Sequence, residues 1–248
     1  MASTSETGHA KNVTNFDELL SFVTGYGAIY NPSKESIKLP ALQTLATSSR
    51  SAISAVNIAL PTYSNAVAAR EVAFAPLNKL ITRVLNALKA TDTTVQVDES
   101  AKTLVRKIQG VRATAKKTEE QKTALAAEGI TIKEVSTSQM SNESRLENFD
   151  KLIQLLTSIP LYAPNEEELK VASLTSLCND LKSKNMAVVA GTMPLSNARI
   201  SRNEVLYNTN TGLVDIAFDV KTYIKSIYGA ISPQFKQVSK LEFKSLKV

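Results

Sequence analysis

The sequence contains very few of the residues that most catalytic and metal sites require. Its 248 residues include one cysteine, Cys178, one histidine, His9, and no tryptophan. A single cysteine cannot form an intrachain disulfide, and zinc sites use three or four Cys, His or carboxylate ligands. A Ser–His or Cys–His pair would have to use His9, which we expect in a loosely held terminus. We therefore predict no catalytic residue, no cofactor and no metal, and a buried structural role for Cys178.

The motifs of several large protein classes are also missing. The sequence has no phosphate-binding G-x-x-x-x-G-K-[ST] or G-x-G-x-x-G pattern, and no G-x-S-x-G or H-E-x-x-H pattern. No apolar run approaches the roughly 20 residues of a membrane-spanning helix, and the N-terminus has no signal-peptide pattern. With 43% hydrophobic and 21% charged residues, the composition is that of a globular protein. We therefore predict a cytoplasmic location and no integral membrane segment.

The sequence does contain an internal similarity that covers most of the chain. The matching positions are Asn15–Leu20 with Asn148–Ile153, Tyr30 with Tyr162, Ile37 with Leu169, Ser64–Ala66 with Ser196–Ala198, and Arg70 with Arg202. The offset in residue number is nearly constant, a little over half the chain length, and it is only slightly larger where Leu77 matches Leu213. Solenoid repeats are only about 20–50 residues long, so this spacing predicts two domain-sized copies.

Each copy has helical spacing of its apolar residues. The fold class predicted is mainly α, with two tandem pseudo-symmetric three- or four-helix bundles related by a pseudo-twofold axis. Asn15 with Glu18 resembles a capping box at the start of the first helix, and Asn165 with Glu168 gives a second such signal. Prolines in the middle of each copy, Pro61 and Pro194, are expected to break or kink a helix.

A small β element is predicted beside the helices. Alternating patterns occur at Thr93–Val97, Ile130–Val135 and Lys240–Lys244, whereas Thr103–Ile108 fits a short strand or a helical turn. Residues Thr118–Glu128 fit a short helix. The domains predicted are an N-terminal tail (1–14), repeat 1 with a basic appendage (15–117), a connector (118–147), and repeat 2 with a basic C-terminal appendage (148–248).

The net charge of +6 is unevenly distributed. Residues 101–117 carry six basic side chains and no acidic one, and residues 221–248 carry six lysines against Glu242. One interpretation is a solvated surface, or one that meets acidic patches such as Glu166–Glu168 of a neighbouring subunit. The other is binding of a polyanion, either nucleic acid or an anionic membrane surface. The candidate polyanion-binding residues are Lys102, Arg106, Lys107, Arg112, Lys116, Lys117, Lys236, Lys240, Lys244 and Lys247.

One pair of basic residues is set apart by its context. Arg70 and Arg202 each end a Ser-Asn-Ala-x-x-x-Arg frame. Such an arginine on a half-buried helix usually pairs with a carboxylate or caps a neighbouring helix, so we predict a structural polar pair, with contact to a ligand as the alternative.

Several of these motifs resemble those of a known group of proteins. The segments Glu6–Asn12 and Arg145–Leu152, the Asn-Phe-Asp openings and the Ser-Asn-Ala frames resemble a family of uncharacterised proteins from Bacteroidota, over nearly the whole chain. The resemblance implies a bacterial source and a duplicated helical-bundle architecture, and it supplies no activity, cofactor or residue role.

Three functions remain compatible with the sequence. The first is a non-enzymatic scaffold or self-assembling interaction protein, because the chain lacks catalytic chemistry and segregates its charges. The second is polyanion binding through the basic appendages. The third is a pore-forming type of helical membrane-active protein, for which only the long helices argue.

Overall fold

The computed structural model describes residues 7–111, 123 and 141–245, and these form a mainly helical protein, as the sequence predicts. Within these ranges the α-helices are accompanied by three short 3₁₀ helices, Gly27–Ile29, Glu35–Ile37 and Glu167–Leu169. The α-helices in the described residues are α1 (Thr7–Gly25), α2 (Leu39–Phe74), α3 (Leu77–Lys89), α4 (Val95–Gln109), α5 (Asn142–Thr157), α6 (Val171–Tyr207), α7 (Leu213–Tyr228) and α8 (Pro233–Ser239).

Helices α2 and α6 are much longer than the sequence pattern predicts. They contain 36 and 37 residues, with Pro61 inside α2 and Pro194 inside α6. These prolines were expected to break or kink a helix, and the break does not occur, because each helix is assigned continuously through its proline. A proline removes only one backbone hydrogen bond, and the remaining turns on either side can hold a long helix together.

The chain divides into two compact units whose boundaries lie inside α2 and α6. Unit 1 comprises Met1–Ser64 and Ala190–Val248, and unit 2 comprises Asn65–Val189. The predicted repeats, 15–117 and 148–248, do not coincide with these units. Each unit instead combines a segment of one predicted repeat with a segment of the other.

Each unit has its own hydrophobic core. In unit 1, Phe16 and Leu19 of α1 belong to the same buried cluster as Val220 and Ile224 of α7. In unit 2 one buried cluster joins five α-helices, and its members include Phe74, Ile81, Ile108, Phe149, Leu174 and Cys178. Full burial of one large apolar side chain contributes about 1.5–3 kcal/mol. Cys178 belongs to this core, as the sequence predicts, and burial raises the pKa of its thiol above the usual value.

The two units contain matching local contacts at the spacing seen in the sequence. The hydroxyl of Tyr30 donates to the carbonyl oxygen of Ile37 at 2.7 Å, and that of Tyr162 donates to the carbonyl oxygen of Leu169 at 2.8 Å. In both cases a 3₁₀ helix precedes a long helix, and the tyrosine bond fixes the turn between them.

Ion pairs recur in the same way. Lys38 pairs with Glu35 and Lys170 pairs with Glu167, each within one helical turn. The pairs Arg50–Asp17 (3.6 Å) and Lys182–Asp150 (3.0 Å) each join two helices of one unit. These exposed pairs contribute little to the free energy of unfolding, and they are informative here because they mark equivalent positions in the two units.

The predicted β element is not present in the described residues. The segments Thr93–Val97 and Thr103–Ile108 lie in or next to helix α4, which ends where Gly110 adopts a left-handed conformation with φ of 68°. Residues 241–245 form neither a helix nor a strand. The alternation that suggested strands reflects instead a short amphipathic helix, whose buried residues are Ala101, Val105 and Ile108. The remaining predictions, Thr118–Glu128 and Ile130–Val135, lie outside the described residues, apart from Thr123.

The predicted start of the first helix is also wrong. Helix α1 begins at Thr7, so residues 7–14 are not a tail, and Asn15 lies inside the helix, where its side chain donates to the carbonyl oxygen of Glu242 at 2.7 Å. Likewise Glu168 does not act in a capping box but pairs with Arg83 at 2.6 Å. Both departures have one cause, because a tertiary contact satisfies the side chain that the local pattern assigns to a cap.

Gly191 marks a close approach between α2 and α6 within unit 1. A β-carbon added there would lie 3.2 Å from the α-carbon of Tyr63, whereas one added at Gly8 in α1 would meet nothing within 4 Å. We expect Gly191→Leu to lower the free energy of unfolding by about 1–3 kcal/mol through overpacking. Urea denaturation checks this, with Gly8→Leu as the control that should change stability by a few tenths. Equal effects of both variants would contradict the close approach.

The two tyrosine bonds predict a matched loss of stability. Tyr30→Phe and Tyr162→Phe should each cost about 1 kcal/mol, the usual net value of a hydrogen bond. Burial raises the pKa of Tyr162 to about 12 and also raises that of Tyr30, with smaller contributions from Glu166 and Tyr223 respectively.

The raised pKa values add a pH dependence. Above about pH 10 an unfolded tyrosine loses its proton while the folded one retains it, so stability falls as the pH rises toward 12. Urea titrations between neutral pH and about pH 11 should therefore show a shallower alkaline decline in each Phe variant than in the wild type. Parallel declines in all three proteins would contradict the assignment.

Candidate functional site

The two arginines singled out by the sequence have different surroundings. Arg70 of α2 is half-buried in unit 2, and its Nη1 donates to Asn185 Oδ1 at 3.1 Å. Arg202 of α6 is buried in unit 1, where its Nε and Nη2 donate to Asn203 Oδ1 at 3.1 and 2.8 Å. In each case the neutral oxygen of an asparagine side chain accepts a hydrogen bond from the guanidinium.

A third arginine, which the sequence did not identify, has a more unusual environment. Arg145 of α5 donates from Nε to the carbonyl oxygen of Ile108 at 3.1 Å and from Nη2 to Asn78 Oδ1 at 3.0 Å. Its guanidinium carbon lies 5.3 Å from the centre of the Phe74 ring, a cation–π contact. Burial lowers the pKa of Arg145, and no carboxylate among the described residues compensates its charge.

Arg70 and Arg145 line one cleft in unit 2. The cleft has a volume of about 480 Å³, within the range of small-molecule sites. Its polar groups come from α2, α3 and α5. The full lining is Val67, Arg70, Glu71, Phe74, Ala75, Asn78, Asn142 and Arg145. We name this set the arginine cleft.

Unit 1 contains a polar cluster built on the histidine that was expected in a loose terminus. His9 is 8% exposed, and its Nδ1 lies 2.7 Å from the hydroxyl of Tyr207. Asn12 Nδ2 lies 3.3 Å from the same hydroxyl. The sequence interpretation of His9 was therefore wrong about its environment, because α1 extends far enough toward the N-terminus to pack this residue.

The same asparagine holds the C-terminal segment 241–245. Asn12 Nδ2 donates to the carbonyl oxygen of Lys244 at 2.9 Å, and Asn12 Oδ1 accepts from its backbone N–H at 3.1 Å. Nearby, the ammonium group of Lys221 donates to the carbonyl oxygen of Leu241 and lies 5.1 Å from the centre of the Phe243 ring. Burial lowers the pKa of Lys221. This part of the basic C-terminus therefore packs against unit 1.

The arginine cleft and the His9 cluster occupy matching positions in the sequence. Three pairs share the offset in residue number that relates Asn15 to Asn148, namely His9 with Asn142, Asn12 with Arg145, and Phe74 with Tyr207. Asn12 and Arg145 each donate to a main-chain carbonyl, that of Lys244 and that of Ile108, and these two residues share the offset of Leu77 and Leu213. The sequence contained the spacing of these pairs. Only the structure shows that His9, Asn12 and Tyr207 form one cluster in unit 1, and that Asn142, Arg145 and Phe74 line one cleft in unit 2.

The predicted polyanion-binding residues fall into two groups. In α4, Lys102 pairs with Glu99 at 2.8 Å and Arg106 donates to Thr103 at 3.2 Å, and Lys107 lies in the last turn of the same helix. The side chains of Lys236, Lys240 and Lys244 are exposed and make no ion pair within the described residues. The predicted residues Arg112, Lys116, Lys117 and Lys247 lie outside the described part of the chain.

The acidic patch predicted as a partner for these lysines is largely used within unit 2. Glu167 pairs with Lys170 and Glu168 with Arg83, both at 2.6 Å. In the same unit, Arg83 and Lys170 lower the pKa of the two carboxyls they contact. Two of the three carboxylates at Glu166–Glu168 therefore already have cationic partners in their own chain.

Helices α2 and α6 each contain a long uncharged section. Residues 51–69 and 185–198 include no Asp, Glu, Lys or Arg. Large apolar side chains are nevertheless exposed on them: Ile58 is 73% exposed, Met186 71% and Met193 66%. Solvated helix faces normally carry charged residues, so these sections differ from an ordinary protein surface.

No family model matches the chain, and comparison with curated proteins and with solved structures gave no match. Among residues 7–111, 123 and 141–245, no group of three or more His, Cys, Asp or Glu side chains could hold a metal ion. The same residues include no helix with the length and hydropathy of a membrane span.

The Asn12 contacts predict how the C-terminal segment can be detached. Asn12→Ala removes both hydrogen bonds to Lys244 and leaves the main-chain groups of Lys244 without that partner. The free energy of unfolding should therefore fall by about 1–3 kcal/mol. Hydrogen exchange at the Lys244 amide should accelerate, as measured by NMR. Asn57→Ala, at an exposed position of α2, is the control and should leave that exchange unchanged. Unaltered exchange in Asn12→Ala would show that the segment is held by other contacts.

Proposed function

We propose that this protein is a non-enzymatic scaffold that associates with further copies of itself through its long helices, with α6 as the main contact. The observation that carries the proposal is the row of exposed apolar side chains on α6. Met186, Val189, Met193 and Ile200 are all more than half exposed. They are separated by three, four and seven positions, the intervals that return to one side of a helix.

Such spacing is typical of helices that pair with another helix. Apolar residues at alternating three- and four-residue steps form the seam of a coiled coil, where each side chain inserts between residues of its partner. Methionine adapts to imperfectly matched surfaces, which suits contact with a second copy. Met186 and Met193 are one heptad apart, so both can lie in the same seam.

The energetic case rests on the size of these side chains. Burial of each contributes about 1.5–3 kcal/mol, and a contact between two copies would bury the set twice. Association costs at least several kcal/mol in lost translational and rotational freedom, which this burial can offset. A second copy is the partner that the chain itself supplies, and closed symmetric pairs are the commonest oligomers.

The proposal retains the internal duplication of the sequence. The recurring tyrosine bonds, ion pairs and proline-containing long helices support two copies of one ancestral segment. Because each compact unit combines parts of both copies, we infer that the duplicated segments exchanged their halves within one chain, a rearrangement related to domain swapping.

The proposal predicts a mass that depends on concentration. Analytical ultracentrifugation should show a multimer of the 26.9 kDa chain that dissociates on dilution. The double variant Met186→Gln/Met193→Gln keeps helix propensity and side-chain size but should weaken association at least about tenfold. A chain that remains monomeric at high concentration would overturn the proposal.

A matched control distinguishes association through this surface from non-specific association of exposed apolar side chains. Ile29 and Ile231 are 63% and 85% exposed and lie outside α2 and α6. The double variant Ile29→Gln/Ile231→Gln makes the same kind of change and should leave association intact. If both double variants weaken association equally, the α6 surface is not the contact.

Polyanion binding is the second candidate, and the C-terminal segment is the part that favours it. Lys236, Lys240 and Lys244 are exposed without an ion pair in the described residues, whereas Lys102 of the other basic segment has a carboxylate partner. Filter binding to DNA and sedimentation with anionic vesicles at low salt test this candidate. Loss of retention in a variant with all three lysines changed to Gln would support it, and no retention of the wild type would remove it.

A further inference from the structure

We propose that the arginine cleft of unit 2 binds a small oxyanion, a ligand that carries a carboxylate or a phosphate group. The inference is independent of self-association, because the residues that line the cleft all belong to unit 2 and none of them lies in the exposed row on α6. It concerns Arg70 and Arg145 as the binding groups and the asparagines beside them as further polar contacts.

The first argument is an uncompensated charge. The Arg145 guanidinium is partly buried, and its two hydrogen bonds go to neutral oxygens, the carbonyl of Ile108 and the amide of Asn78. A buried cation normally has an anionic partner, because removal of a charge from water is costly. Within the described residues Nη1 of Arg145 makes no hydrogen bond, so the guanidinium retains N–H donors for an oxyanion.

The second argument is the presence of a second cation in the same cleft. Arg70 also donates to a neutral oxygen, that of Asn185, and forms no ion pair within the described residues. Among those residues, Glu71 is the only carboxylate that lines the cleft, and neither arginine pairs with it. Neutral acceptors can orient two guanidinium groups without neutralising their charge, which is the arrangement that binds carboxylate or phosphate well.

The third argument comes from the matching position in unit 1. There Asn12, the counterpart of Arg145, holds a main-chain carbonyl without any charge. Holding the main-chain carbonyl at this position therefore does not require a guanidinium. In unit 1 the hydroxyl of Tyr207 joins His9 and Asn12, whereas unit 2 has Phe74 at this place and a cleft of about 480 Å³. Unit 2 thus has a cationic cleft where unit 1 has a hydrogen-bonded polar cluster.

The lining also limits the size and character of the ligand. The cleft has room for a small organic acid or a phosphate ester, and Val67, Phe74 and Ala75 supply an apolar wall. The amide groups of Asn78 and Asn142 can hydrogen-bond further oxygens of such a ligand. Phosphate and a dicarboxylate share the chemistry that the arginines recognise, and binding measurements distinguish them.

The experiment is isothermal titration calorimetry of the intact protein with inorganic phosphate, sulfate and succinate, each against chloride at constant ionic strength. We expect saturable binding of at least one probe at concentrations up to about 10 mM. Phosphate or sulfate alone would indicate a phosphate ester as ligand, and succinate alone would indicate an organic acid. No saturable binding of any probe would overturn the proposal.

Variants locate the bound probe. Arg70→Gln and Arg145→Gln should each weaken binding at least about tenfold, whereas Arg50→Gln removes the same charge in unit 1 and should have no effect. Glu71→Gln should strengthen binding several-fold, because it removes a repelling carboxylate. Arg70 tests the cleft even if Arg145→Gln fails to fold. Binding that survives Arg70→Gln, or falls equally in Arg50→Gln, would show that the cleft is not the site.

Discussion

The burial of apolar side chains joins segments that are far apart in the chain, and the rest of the structure depends on this. Phe16 of α1 shares its core with Val220 of α7, near the other end of the chain. In unit 2, Phe149 of α5 shares a core with Ile81 of α3. Neither core is complete within one of the two similar segments, so each segment needs the other in order to remove its apolar face from water. The long helices α2 and α6 each contribute residues to both units.

The polar cluster around His9 in unit 1 and the arginine cleft in unit 2 occupy matching sequence positions but differ in their chemistry. In unit 1 the position holds a set of hydrogen bonds around Tyr207, and Asn12 there also binds the C-terminal segment. In unit 2 a phenyl ring at Phe74 and a guanidinium at Arg145 line an open, cationic cleft. The two positions therefore share an offset in residue number but differ in side-chain chemistry.

The sequence predicted some elements well and others poorly, for identifiable reasons. Helices α3 and α7 agree with the predicted helical spacing and begin at the matching residues Leu77 and Leu213, because their apolar residues follow one strong helical stripe. Pro61 and Pro194 do not break their helices as one alternative predicted, since the local cost of a proline can be outweighed over a long helix. Val95 and Val97 alternate as in a strand, but α4 buries its apolar face in a core made with other segments. His9 was misplaced because its partner, Tyr207, lies almost at the other end of the chain.

The amino-acid sequence by itself determined that the chain is helical, that it contains two similar segments, and that its polar chemistry rests mainly on carboxylates, lysines, arginines, amides and hydroxyls. Those properties follow from local periodicity and composition. Only the tertiary structure decided which segments share a core, and that Arg70 and Arg145 line one cleft. The reason is physical: the cleft is built from α2, α3 and α5, and a pattern in one dimension does not specify which distant helices pack together.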